Sequence, residues 1–336
     1  MMRTHAAACV LALGLAGGLL AAGEATTRKA APEENAATIY RRAFQAASGL
    51  SEADKSIAAR SDSWRMDRAT IEVLRKAGPA LRLLLQAARR RTCDWGLETL
   101  EGLDPFLEEL SQARLLGRLA CLRARHQIQA GRTAAGIEDL TAALALGRHI
   151  GCESLLTGRL MQTAIELSAI TTTAHHLMDL KADDLRLLAD GLESIPPGGT
   201  FPATLRSEGQ FVLKSLPPDL PQYDQTARFW KEAEAAADLP PDQFDKKLRA
   251  LESRVAGHLV APLIRISLMD AVRRTSAAML KAAVLVRLDG QERLKAVKDP
   301  FGDGPFVYKQ LKNGFELQGR LMREGKPVTL TVGPGG

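Results

Sequence analysis

The sequence predicts a mainly α-helical protein: irregular antiparallel helical hairpins, bundle- or solenoid-like, closed by a small C-terminal antiparallel β-meander. Three observations carry that prediction. Apolar residues recur at i, i+3, i+4 and i+7 through most of the chain between Glu34 and Leu288. Gly and Pro punctuate these runs where helix pairs need short turns. After Pro300 the pattern changes to short β-like runs separated by Asn-Gly and Glu-Gly turns. The bulk composition agrees, since 46% apolar and 25% charged residues over 336 positions is an ordinary globular balance.

The elements follow in order. Met1-Met2-Arg3-Thr4-His5 is a short, weakly basic start, and Ala6 to Ala22 carries no charge. Small residues at Ala21-Ala22-Gly23-Glu24-Ala25 then offer a cut after Gly23 or Ala25, so residues 1–25 read as a signal peptide. The apolar run falls short of the ~20 residues of a spanning helix. The expectation is a periplasmic or secreted protein. The alternative is anchoring by this segment left uncleaved, which would then be its only membrane contact.

Residues 26–195 read as a helical-hairpin domain. A polar leader over 26–33 gives way to a helix with Ala36, Ile39, Tyr40, Ala43, Phe44 and Ala47 on one face, stopped at Gly49. Helices over 68–77 and 79–91 follow, the second opened by Pro79. Cys93-Asp94-Trp95-Gly96 reads as a turn with Trp95 packing back. Pro105 opens a long helix to Ala130, Gly131 stops it, and Ala134 to Arg148 forms its partner. Residues 153–179 and 183–194 repeat the arrangement. Residues 196–241, with eight of the sixteen prolines, predict a connector of broken helices and a candidate domain boundary. Residues 242–336 hold a long helix from Pro262 to Leu288 and the meander, with strands near Val307, Phe315 and Val328.

The tail carries a resemblance. Asp299-Pro300-Phe301-Gly302, Pro305-Phe306-Val307-Tyr308 and Asn313-Gly314-Phe315-Glu316-Leu317 resemble the C-terminal end of type II secretion pseudopilins. Residues 1–25 contain neither a prepilin cleavage site nor the early glutamate of that family, so the likeness implies a tail module. Asn35-Ala36-Ala37-Thr38-Ile39-Tyr40, Cys93-Asp94-Trp95, Gly136-Ile137-Glu138-Asp139-Leu140 and Arg148-His149-Ile150, with the same tail, resemble a group of exported helical bacterial proteins to which no activity is attached. That likeness implies a layout and no catalytic residue.

Candidate sites are few. Arg114, Arg118, Arg125 and Arg132 fall on one helical face with Cys121 among them. They are read either as an anion-binding stripe around a thiol activated by cations or as a solvated face pairing with Glu138 and Asp139. Cys93, Cys121 and Cys152 predict one disulfide and one free thiol in an oxidising compartment. His126, His149, His175, His176 and His258 form no metal-ligand spacing, and His175-His176 reads as a helix-end surface feature. Arg89-Arg90-Arg91 complements a helix C-terminus. Asp183 or Asp184 reads as an N-cap, and Glu208 is available for acid–base work without a spacing that favours it. No G-x-S-x-G, P-loop or G-x-G-x-x-G is present.

These readings predict an exported, non-enzymatic envelope protein, an interaction or scaffold module for another envelope protein or a peptide, with no cofactor, metal or catalytic residue. Its net charge of +6 permits attraction to anionic surfaces, but 4% aromatics and export argue against dedicated nucleic-acid binding. The alternatives are a periplasmic enzyme or anion-ligand binder using the Arg114/Arg118/Cys121/Arg125 face, and a secretion-apparatus accessory related to pseudopilins.

Overall fold

Asn35 shows how the chain starts and how two distant motifs become one structure. In the computed structural model, which describes residues 35–60, 66–96, 104–152, 155–251 and 257–334, helix α1 (Ala36–Ala47) begins where the Asn35 side chain accepts the Ala37 N–H at 3.1 Å. Such a cap stabilises a helix by ~1 kcal/mol. The same amide group donates to the Asp94 carbonyl at 2.7 Å and accepts the Asp94 N–H at 3.0 Å. The predicted apolar face of α1 is buried throughout. Trp95 packs onto it, stacked 5.8 Å from Tyr40 and 6.2 Å from Phe44, and donates its indole N–H to the His149 carbonyl at 2.9 Å. The signal-like segment, the polar leader and Cys9 lie outside the described residues. No helix among the described residues is long and apolar enough to cross a membrane.

A helix that the apolar periodicity does not signal, α2 (Glu52–Ala59), follows Gly49. Ser51 and Asp54 form a capping box, and Asp54 also receives Lys76 of α3 (Arg68–Lys76) at 3.0 Å. Helix α4 (Gly78–Ala88) has Pro79 in its first turn and ends three residues before the predicted limit. The triple arginine therefore lies beyond the last turn, and Arg89 reaches across to pair with Glu138.

Helices α5 (Asp104–Gln129) and α6 (Thr133–Ile150) form the expected hairpin, turned by Gly131 at φ +75°. Their approach is close. A Cβ on Gly136 would sit 2.6 Å from Ile128 Cγ1 and 2.9 Å from the Ala124 carbonyl oxygen, so the seam admits no side chain there. Arg123 and Asp139 pair across the two helices, with Nε to Oδ2 at 2.8 Å.

Helix α7 (Leu156–His176) packs on both members of that hairpin and leads through a 3₁₀ turn to α8 (Ala182–Ser194). The cap of α8 corrects an expectation. Lys181 is the N-cap, and Asp184 sits in the third helical position, accepting the Lys181 N–H at 3.2 Å and the Thr133 hydroxyl at 2.7 Å. Asp183 instead pairs with Arg186.

In the proline-rich stretch three helices form: α9 (Phe201–Lys214), α10 (Tyr223–Ala236) and α11 (Pro241–Ala250). Pro202 and Pro241 lie in first turns, where a missing N–H costs nothing. Phe201, Phe229, Trp230 and Phe244 build a second apolar cluster with Val260 and Leu263 of α12 (Gly257–Asp289). Residues 34–336 group as one compact unit.

Three strands close the chain in the order β1 (Val307–Leu311), β2 (Gly314–Arg323), β3 (Lys326–Val332), all antiparallel. Leu317 faces Leu330 and Phe315 faces Val332, and the buried side chains of this face pack on α7 and α12. Glu324 and Gly325 take φ +53° and +74°, as a two-residue type I′ turn requires. The D-P-F-G motif is a knot around one carboxylate. Asp299, 1% exposed, accepts the Phe301 N–H at 3.0 Å and the Arg320 N–H of β2 at 2.7 Å.

Candidate functional site

The arginine stripe does not form as predicted. Arg114 and Arg118 flank a groove of about 330 Å³ between α2 and α5, shared with Lys55 and Gln112. Arg125 is only 2% exposed, because α7 covers that part of the same face. Arg132 lies past the end of α5 in the interhelical turn, so it cannot continue the stripe. Glu138 and Asp139 do pair with arginines, but with Arg89 and Arg123.

The activated-thiol reading is also corrected. Cys121 is buried, contacts Ser168 of α7 at 3.8 Å, and burial pushes its thiol up to about 11. Desolvation outweighs the nearby Arg125 charge. No disulfide joins Cys93, Cys121 and Cys152, so the expected pairing is not formed.

Two of the histidines are structural in their contacts. His149 is buried with Nδ1 2.9 Å from the Tyr40 hydroxyl, and burial pulls its pKa down to about 4. His176, expected at the surface, is buried instead and lies 2.9 Å from Asp179. No group of three potential metal ligands occurs among the described residues. Glu208 of α9 accepts the Leu156 N–H at 2.9 Å, so it serves the N-terminus of α7, and burial raises its pKa.

The polar residues the structure does bring together are others. On α7, Arg159, Gln162, Glu166 and Ile170 recur at i, i+3, i+7 and i+11. On α12, Asp270, Arg273, Ala277 and Lys281 have the same spacing. Each set lies on one helical face, and the two helices pack together with those polar groups interleaved.

Glu166, 1% exposed, is the centre. One oxygen receives Arg148 Nε at 3.0 Å and the Gln162 amide at 2.6 Å, and the other receives an Arg273 N–H at 3.0 Å. Asp270 accepts two bonds from Arg273, at 2.8 and 3.2 Å. Arg159 places its Nε 3.2 Å from the same carboxylate, without the alignment of a hydrogen bond. Its terminal nitrogen donates to Gln162 at 2.7 Å and to the Gly199 carbonyl at 2.6 Å.

The last contact explains the glycines of the α8–α9 loop. A Cβ on Gly199 would lie 2.1 Å from the Gly151 carbonyl oxygen, and one on Gly198 would lie 2.8 Å from Arg148 Cδ. Only glycines let Ile195–Thr200 lie flat over the network.

Three arginines here meet two carboxylates. Burying charges is costly unless they are paired, and the surplus is cationic. Desolvation lowers the pKa of Arg159, whereas for Arg273 the Glu166 and Asp270 charges more than offset the burial. Beside the network opens a cavity of about 510 Å³, walled among the described residues by Arg148, Arg159, Arg273, Arg274 and Lys281 against Asp238 and Asp270. Arg274 rests over the Phe301 ring, 5.1 Å from its centre, and Lys281 is exposed. Such a volume suits a small molecule.

Comparison with protein-family models, with curated proteins and with solved structures found no match.

Proposed function

We propose that this protein is a non-enzymatic binding module of the cell envelope that holds a small anion in the cleft between α7, α12 and the α8–α9 loop. One observation carries the reading: three arginines converge on two buried carboxylates beside a cavity whose other charged walls add Arg274 and Lys281 against Asp238. An anion entering there meets preset donors and needs no separate counterion. Both network carboxylates are engaged by arginines, and among the described residues the cavity wall contains no serine, cysteine or histidine. That lining supports binding over covalent or acid–base chemistry.

Titration calorimetry of the chain with sulfate, phosphate and acetate tests the reading. The expected result is saturable binding that weakens as ionic strength rises. Lys281→Ala should weaken it a few-fold at unchanged melting temperature, and Arg148→Gln by about tenfold, the worth of a charged hydrogen bond. Absence of saturation for all three anions at low salt would remove the proposal. The envelope assignment rests on residues 1–25, and a mature N-terminus just after Gly23 or Ala25 in an exported fraction is its test.

A further inference from the structure

We infer that the anion this cleft takes is amphiphilic, a single carboxylate or phosphate monoester carrying an aliphatic chain; the inference rests on the anion-binding reading above. A second cavity, of about 320 Å³, shares Arg148, Ala277 and Lys281 with the first. Ala277 and Lys281 lie one turn apart on the same face of α12, so the two cavities are the ends of one cleft running along that helix.

The ends differ in chemistry. The first has five cationic side chains against two carboxylates. In the second, Arg148 and Lys281 are matched by Glu166 and Glu193, and the remaining wall is Leu144, Ile170, Leu192, Ile195, Leu280 and neighbouring prolines. A charged head group is favoured at the first end only. The second end has no charge surplus to offer and rewards apolar surface. A ligand filling both carries its charge at one terminus and methylenes at the other.

Volume favours a small molecule over a folded partner, since each end falls in the range of small-ligand pockets. The exposed Lys281 lies in the wall of both ends.

The experiment is a homologous series titrated into the full chain: acetate, butanoate, hexanoate and octanoate, with octyl phosphate and 1-octanol as further arms. Each added methylene should tighten binding about fourfold until the apolar end is filled. Octanoate against octyl phosphate identifies the head group. Added salt should weaken both anions and leave octanol weak throughout. Leu192→Asn, at a half-buried wall position, should flatten the chain-length dependence and leave acetate binding as it was. Three outcomes overturn a claim. Acetate and octanoate of equal affinity would end the amphiphile inference and leave anion binding standing. Octanol binding as tightly as octanoate, without salt dependence, would end the anion reading itself. No binding by any member would end both.

Discussion

Glu166→Gln is the most informative single change in the network. The substitution keeps the side chain's size and removes its charge. Arg148, Arg273 and Gln162 then face an amide in place of the carboxylate they now share. Of the two network carboxylates only Asp270 would remain, and it pairs with Arg159 and Arg273, leaving Arg148 without its ion-pair partner in the network. Removing one partner of a buried pair costs about 3–5 kcal/mol, because the orphaned charge stays desolvated. The unfolding entropy of a chain with ~300 ordered residues, at about 2.1 cal/mol/K per residue, converts this to a fall of roughly 5–8 °C in melting temperature. The signature is in the ligand dependence. Sulfate should restore more stability to the variant than it adds to the parent, since it refills an anionic position and stabilises by mass action. Differential scanning calorimetry with and without sulfate reads both effects. A melting temperature within about 2 °C of the parent, with equal sulfate shifts, would refute the claim that Glu166 holds these arginines in place.

Three further outcomes follow from the geometry. His149 is buried and its pKa lies near 4 against an ordinary 6.5. The folded ring holds its proton less well than the unfolded one, so its stabilisation is complete above pH 6.5 and lost as pH falls from 6.5 toward 4. The amount is on the order of 3 kcal/mol, and urea unfolding across that range should slope more steeply for the parent than for His149→Gln; parallel profiles would contradict it. Thiol labelling at pH 8 should modify exposed Cys152 quickly and buried Cys121 only after unfolding, and equal rates would show that Cys121 is not held as described. Gly199→Ala should cost at least 1–3 kcal/mol and weaken anion binding, because its Cβ meets the Gly151 carbonyl and its own carbonyl positions Arg159. Gly49→Ala, with open space around the added carbon, is the control and should be neutral or slightly stabilising in the same denaturation assay.

Helical periodicity locates most elements because each helix has a face that must be buried, and α1 shows the rule at its clearest. Helix α2 has little apolar face, with Ala58 and Asp54 its buried residues. Its signal was the Ser51-x-x-Asp54 cap, which needs no hydrophobic pattern. The arginine stripe shows the opposite limit. Angular spacing puts Arg114 through Arg132 in line; the stop at Gly131 already sets Arg132 beyond the helix, but spacing does not contain the helix that covers Arg125. The cleft was illegible for a related reason. Arg159, Gln162 and Glu166 have the spacing of a solvated face, and only the packing of α7 on α12, which joins Glu166 to Arg273 across 107 positions, makes that face interior. The signal available beforehand was the identical spacing of two charged faces on helices that otherwise read as apolar.

Helix α12 has two tenants. Asp270, Arg273, Ala277 and Lys281 line the cleft, while Thr275 and Met279 on the far side press against β2, where even a methyl on Gly319 would come within 3.1 Å of each. A roll of this helix about its axis therefore cannot reshape the pocket without shoving the terminal sheet. The Asp299 knot ties that sheet back to the same helix's exit. The meander is geared to the ligand chamber, and deleting it should slacken the chamber's rear wall as surely as any substitution inside it.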